Sequence, residues 1–245
     1  MRGLRLSCLV LWMALWILPV SAAHALHKKR LRSRMVMMAY RGMARLVRLR
    51  VRVVGDCSGA RPLLLASNHI SYLDIVALGG VVDARFVAKQ EIARWPVIGW
   101  LCRIQDVLFV DRSTAKIAEG ADALRGAFTE GAAVVLFPEA TTGDGRHMLP
   151  FKPAFFEAAA GVEVQPVAIA YRKICGLPID FGQWPLIAWY GDMELLPHLW
   201  HVLSLGNIEV EIHFPPAISS IGQDRKALAA EAQTAIAEKL PVTSY

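Results

Sequence analysis

Leu63-Leu64-Leu65-Ala66-Ser67-Asn68-His69-Ile70-Ser71-Tyr72-Leu73-Asp74 joins a short apolar run to a polar turn and then to a helical pattern. The apolar run is too short for a helix of its own and reads as a buried strand over 62–66. Residues 68–71 have turn chemistry, and a helix is expected to begin near Tyr72 and run to 79. Working outward, further apolar strands are predicted at 49–54, 85–88, 107–110, 133–137, 164–171 and 208–214, and helices at 96–103, 114–129 and 224–240. Strands alternating with helices predict an α/β domain, mostly a central sheet flanked by helices. No internal repeat, low-complexity run or flexible linker interrupts it.

The first quarter of the chain differs in kind. The formal charge is +6 over 245 residues, but residues 1–55 hold 12 Lys or Arg and no acid, while the other 190 hold 15 bases and 21 acids. Residues 6–23 are uncharged, contain Trp12 and Trp16, and follow Arg2 and Arg5. This segment is long enough to enter a bilayer and at the short end for crossing one. A secretory signal is the rival reading, because Ser21, Ala22, Ala23 and Ala25 fit a cleavage site. The block Lys28, Lys29, Arg30, Arg32 and Arg34 favours a retained anchor with that end on the cytoplasmic side. From Leu31, the residues Met35, Met38, Ala39, Met43, Leu46 and Val47 recur at helical spacing, with Arg34, Arg41, Arg45 and Arg48 on a second face. A basic amphipathic helix of this kind suits a headgroup layer; the competing reading packs it on its own domain with the arginines in water. The division expected is an N-terminal anchor and basic helix over 1–48 and a catalytic domain over 49–245, held at the cytoplasmic face of the cell membrane.

Composition narrows the class. At 55% hydrophobic residues and a mean hydropathy of +0.37 the chain is neither disordered nor collagen-like. With only one long apolar run it is not polytopic. Nucleic-acid binding is disfavoured, since the body is net acidic once the first 55 residues are set aside. Cys8, Cys57, Cys102 and Cys175 lie too far apart for a zinc or redox motif, so no metal is expected and the thiols read as reduced.

Two segments carry candidate chemistry. His69 falls at a strand end and Asp74 on the first helical turn, where a carboxylate can hold the Nδ1 proton and leave Nε2 free to accept one. The bland alternative is a loop histidine in a helix-capping network. The second segment, Val134-Val135-Leu136-Phe137-Pro138-Glu139-Ala140-Thr141-Thr142-Gly143-Asp144-Gly145, runs a buried strand into a loop of small residues. Glu139 lands just past the strand end, where α/β proteins place ligand sites; otherwise it is a solvated loop residue.

Asn68-His69 followed by Asp74, then Phe137-Pro138-Glu139-x-Thr141, resembles the first and third motifs of the glycerolipid acyltransferase family that includes lysophosphatidate acyltransferases. Lys89 leading to Pro96 and Gly99, with Phe109-Val110-Asp111-Arg112, resembles the second, and Pro166-Val167-Ala168-Ile169 the fourth. The resemblance covers roughly residues 60–175. It implies transfer of a fatty acyl group from a thioester of coenzyme A or acyl carrier protein to a lysolipid hydroxyl at a membrane, with no bound cofactor. His69 is then the expected general base and Asp74 its orienter. Asn68, Lys89, Arg112, Phe137, Pro138, Glu139, Thr141 and Thr142 are expected around the substrate, and loop N–H groups are candidate oxyanion donors. The chain lacks a Gly-x-Ser-x-Gly elbow, and neither motif contains a cysteine, so direct transfer is expected without an acyl-enzyme.

Departures from the family pattern bear on the acceptor. Lysophosphatidate enzymes usually read Phe-Pro-Glu-Gly-Thr-Arg, where this chain has Ala140 and Thr142 in place of the Gly and Arg. Ala140 is expected to keep a negative φ, because alanine is disfavoured in a left-handed turn. Thr142 lacks the guanidinium fork suited to a phosphate monoester, although Arg112 or Arg146 could meet one. Lysophosphatidate and a zwitterionic lysolipid such as lyso-ornithine lipid are both open as acceptors. A hydrolase using the same His/Asp pair is the alternative activity, and a non-enzymatic membrane adaptor the alternative role. Three of the seven tryptophans lie in residues 184–200, readable as a second membrane face, part of an acyl tunnel, or plain core.

Overall fold

The computed structural model describes residues 2–111 and 117–241. Among the described residues eight strands form one sheet: β1 (Leu49–Val54), β2 (Leu63–Ser67), β3 (Arg85–Lys89), β4 (Leu108–Val110), β5 (Ala133–Leu136), β6 (Glu163–Ile174), β7 (Leu177–Pro178) and β8 (Ile208–His213), in the order β1-β8-β6-β2-β5-β3-β4. The two-residue β7 folds back antiparallel on the end of β6. Pairing is parallel throughout except where β6 meets β7 and β8. The central strands β2 and β5 are buried at every residue, as continuous apolar runs of a sheet covered on both faces should be. At the edge, β1 leaves Arg50 and Arg52 exposed.

Alternation along the strands divides the core in two. Leu63, Leu65, Val135 and Ile169 face one apolar layer with Leu73 and Leu78 of α3 (Tyr72–Gly79) and Val202 of α6 (Leu195–Val202). Leu64, Ala66, Val134 and Leu136 face the other, with Leu124 of α5 (Ile117–Thr129) and Leu228 and Ala232 of α7 (Arg225–Ala237). The first layer also takes Leu9 of α1 (Arg2–Ala25) and Ala44 of α2 (Lys29–Leu46), so the N-terminal helices share a core with the sheet.

α1 and α2 form a hairpin lying along the body. Gly42 lets the Trp12 ring sit against the α2 backbone, where a Cβ would approach that ring to 2.1 Å, and the Trp12 indole N–H donates to the Ala39 carbonyl at 2.9 Å. Both ends of α1 are tied down. Arg5 donates to the carbonyls of Leu203 and Leu205 at 2.8 and 3.0 Å, and beside His24 at the far end Arg32 pairs with Asp106. α1 is apolar and long enough to cross a membrane, with a mean hydropathy of 2.0. Here it presents Leu4, Val10, Leu11, Leu15 and Leu18 outward along its flank. On α2 the amphipathic prediction is redrawn: Met43, Leu46 and Val47 pack inward, while Arg30, Arg34, Arg41 and Arg45 are outermost.

The predicted strands and helices fall within a few residues of those observed. α6 and the short 3-10 turns at Gln90–Arg94, Pro153–Ala159 and Trp184–Leu186 were not anticipated. The expected helix start at 114 and Arg112 lie outside the described residues.

Candidate active site

β2, β5 and β6 run parallel, so their C-terminal ends share one edge of the sheet, and the loops carrying His69 and Glu139 leave from it. The turn at 68–71 is fixed from below. The Asn68 side-chain amide donates to the Ile169 carbonyl at 3.0 Å and accepts from the Ile169 N–H at 2.8 Å, continuing the β2–β6 ladder through a side chain. Asn68, expected near substrate, is buried, and its side-chain amide pairs with the neighbouring strand.

Ser71 caps α3, and Asp74 completes the capping box by accepting from the Ser71 N–H at 2.9 Å. The same oxygen, Oδ2, pairs with His69 Nδ1 at 2.8 Å and accepts from the Ile70 N–H at 2.7 Å. Its other oxygen accepts from the Tyr171 hydroxyl at 2.8 Å. The carboxylate is wholly buried and meets four donors, which is how a buried charge is made tolerable. Capping network and His/Asp pair are therefore one structure rather than alternatives. Burial, then the Asp74 charge, pushes the Tyr171 phenol far above its ordinary range, so it stays a donor. With Asp74 as acceptor the imidazole carries its proton on Nδ1 and offers the Nε2 lone pair.

The second motif closes over the first. Phe137 stacks on the imidazole, ring centroids 3.9 Å apart and planes 15° from parallel. Glu139 accepts from the His69 N–H at 2.7 Å through Oε1 and from the Leu149 N–H at 2.8 Å through Oε2. The Gly143 N–H donates to the His69 carbonyl at 2.9 Å, so His69 is held at N–H, carbonyl and ring. Burial pushes Glu139 up to about 7, against the pull of the two N–H donors. Glu139 is thus a buried brace of the His69 loop and not a solvated loop residue.

Ala140 corrects an expectation. Its φ is +62°, left-handed, because its N–H turns back to the Phe137 carbonyl at 3.0 Å and its methyl fills the second core. The usual glycine conformation is kept without the glycine, at a local cost of about 1–2 kcal/mol. Pro138 is buried, its carbonyl accepting from the Lys152 N–H at 3.0 Å. Thr141 is exposed and Thr142 half-buried between the anchored Ala140 and Gly143. Lys89 ends β3, exposed at the same edge but separated from β2 by β5. The N–H groups of Ile70, Ser71, Ala140 and Gly143 are spent within the loops. Tyr171 was missed: it lay inside a predicted strand, and nothing local announces a partner 97 residues away.

Beside the site, α1, α2 and α3 meet α4 (Pro96–Ile104) around an apolar cavity of about 250 Å³ lined by Trp16, Val20, Met43, Ile75 and Leu101. In the tryptophan-rich stretch, Trp184 is core and lies under Gly145, while Leu196 and Trp200 of α6 are exposed.

A structure of this shape is known. The chain superposes on the crystal structure of the 1-acyl-sn-glycerophosphate acyltransferase PlsC from Thermotoga maritima with a TM-score of 0.69, over 97% of this chain and 95% of that one, at 19% identity. The chain is 43% identical to a lyso-ornithine lipid O-acyltransferase of Brucella abortus, over 78% of this chain and 75% of that protein. It is 40% identical to the protein of the same name in Rhizobium meliloti, over 80% and 69%. A 1-acyl-sn-glycerol-3-phosphate acyltransferase of Neisseria gonorrhoeae is 34% identical over 68% and 64%. The family model described as Acyltransferase matches residues 48–170, which hold both the His69–Asp74 pair and the Glu139 loop, and the chain belongs to that family.

Proposed function

We propose that this enzyme moves a fatty acyl group from a thioester to the hydroxyl of a membrane lysolipid, with His69 as general base. The observation that carries the reading is the 2.8 Å His69–Asp74 bond within a carboxylate otherwise saturated by the fold. His69 Nε2 takes the hydroxyl proton as the oxygen attacks the thioester carbonyl, and Asp74 stabilises the imidazolium that results. The tetrahedral intermediate collapses, the carbon–sulfur bond breaks, and the proton passes to the departing thiolate. Oxyanion donors would come from Thr141 and Thr142, held between fixed neighbours. The thioester is that of coenzyme A or acyl carrier protein, and the apolar cavity beside Ile75 suits an acyl chain.

Lyso-ornithine lipid is the acceptor we favour. An ornithine headgroup presents an ammonium and a carboxylate, whereas a phosphate monoester calls for the charge that Thr142 does not supply. The relatives at 43% and 40% identity bear that acceptor in their names. Lysophosphatidate is the second reading, favoured by the relative at 34%. α1 would lie in the plane of the cytoplasmic leaflet, its outward leucines in lipid and the arginines of α2 among the headgroups.

Purified enzyme should be given each lysolipid with acyl-coenzyme A and with acyl carrier protein thioester. Diacylated ornithine lipid is the expected product, free fatty acid would indicate a hydrolase, and phosphatidate alone would reverse the acceptor assignment. His69→Ala should lower turnover by at least about a thousandfold with the fold retained; full activity would sink the general-base role.

A further inference from the structure

Leaving β3 at the site's edge of the sheet, the chain makes the 3-10 turn Gln90–Arg94 and then α4. Of the six residues 95–100, four are large, apolar and well exposed: Trp95 at 43%, Val97 at 62%, Ile98 at 37% and Trp100 at 39%. Among the described residues none buries these four side chains, yet the helix that carries them is firmly seated. Gly99 lies so close to the preceding turn that a Cβ there would come within 2.5 Å of the Ala93 carbonyl oxygen and 2.7 Å of that of Ile92. Arg103 donates to the same Ala93 carbonyl at 2.6 Å. An apolar face held outward by backbone packing is a built surface, not a frayed loop.

Charge identifies what it meets. The turn and α4, residues 90–104, hold Arg94 and Arg103, both exposed, against the single acid Glu91 at the turn's start, away from the apolar face at 95–100. Two tryptophans flanked by arginines over aliphatic side chains suit the boundary between headgroups and acyl chains, since an indole has one apolar and one wet end. α4 also packs beside the anchor helix: Trp12, Trp16 and Val20, on the inward side of α1, share the apolar cavity with Ile98, Leu101 and Ile104.

We infer that α4 is a second membrane-inserting element, seating Trp95, Val97, Ile98 and Trp100 in the headgroup boundary of an anionic bilayer. This rests on the membrane reading given above and adds orientation to it. α1 alone, lying flat, leaves the enzyme free to roll about the helix axis. A second contact on the strand-end side fixes that roll and turns the edge bearing His69 toward the lipid, where a hydroxyl of a membrane-borne acceptor can reach Nε2.

The test uses the full chain on phosphatidylglycerol/phosphatidylcholine vesicles. With lipids brominated near the headgroup, Trp95→Phe/Trp100→Phe should remove a clearly measurable share of the tryptophan quenching seen in the parent. Unchanged fractional quenching would overturn the inference. In turnover, Trp95→Ser/Trp100→Ser should fall about tenfold on vesicle-borne lysolipid and less than twofold on a short-chain lysolipid dissolved as monomer. An equal fall on both would mean that α4 acts on the site itself, and no fall on either would mean that it does not insert; both outcomes refute the idea. If the parent turned over neither acceptor, the acyl-transfer reading would fail, while quenching would still decide the surface.

Discussion

At the scale of single residues, His69, the base we propose, is held on every side but one. Its Nδ1, backbone N–H, carbonyl and ring face each have a partner, leaving Nε2 as the atom offered outward. Such pre-organisation lets a weak base act without the entropy of finding its geometry. Tyr171 contributes one step removed, by holding Asp74 Oδ1. Replacing it with Phe strands that lone pair in the core. We expect Tyr171→Phe to cost about 1–3 kcal/mol of stability. We also expect about a tenfold lower kcat with KM little changed, because the acceptor never touches the phenol. Steady-state kinetics with a thermal melt on the same sample checks both, and an unaltered kcat would show that Asp74 is positioned without it.

Among elements, legibility followed the range of the interaction. The strands and α3 could be read because the buried runs 63–66 and 133–136 and the Ser71/Asp74 capping pair are local patterns. The His69–Asp74 pair was legible for the same reason, being five residues apart. The contacts of Asn68, Glu139 and Tyr171 were not legible because their partners, Ile169, His69 with Leu149, and Asp74, come from other strands or loops. The sign of φ at Ala140 was misjudged because residue preference was weighed without the turn that overrides it. α6 was hidden by Pro197 within it. Gly99 is a case where packing can be tested directly. Gly99→Ala presses a methyl into two backbone carbonyls that cannot swing aside, so α4 must shift. The expected cost is about 1–3 kcal/mol, despite alanine's better helix propensity. Denaturant unfolding measures it, and a stabilised variant would contradict the close approach.

For the whole molecule, the uneven charge of the sequence becomes an arrangement in space. The basic quarter is no detachable tail: Leu9, Ala44 and Val47 belong to the core that supports the sheet, so removing residues 1–48 would open that core as well as the membrane contact. The membrane attachment is better tested by charge than by deletion. Arg30, Arg34 and Arg45 are exposed on α2, two of them one turn apart and the third three turns further along the same side. Near an anionic surface each arginine contributes about 1 kcal/mol, an attraction that fades within a Debye length. Replacing all three with Gln should therefore weaken binding to phosphatidylglycerol vesicles roughly a hundredfold at low salt. The difference should shrink as salt rises and be nearly absent on neutral vesicles, where the leucines of α1 carry the attachment. Vesicle co-sedimentation across a salt series measures this, and equal binding of parent and variant to anionic lipid would place the arginine face of α2 away from the bilayer.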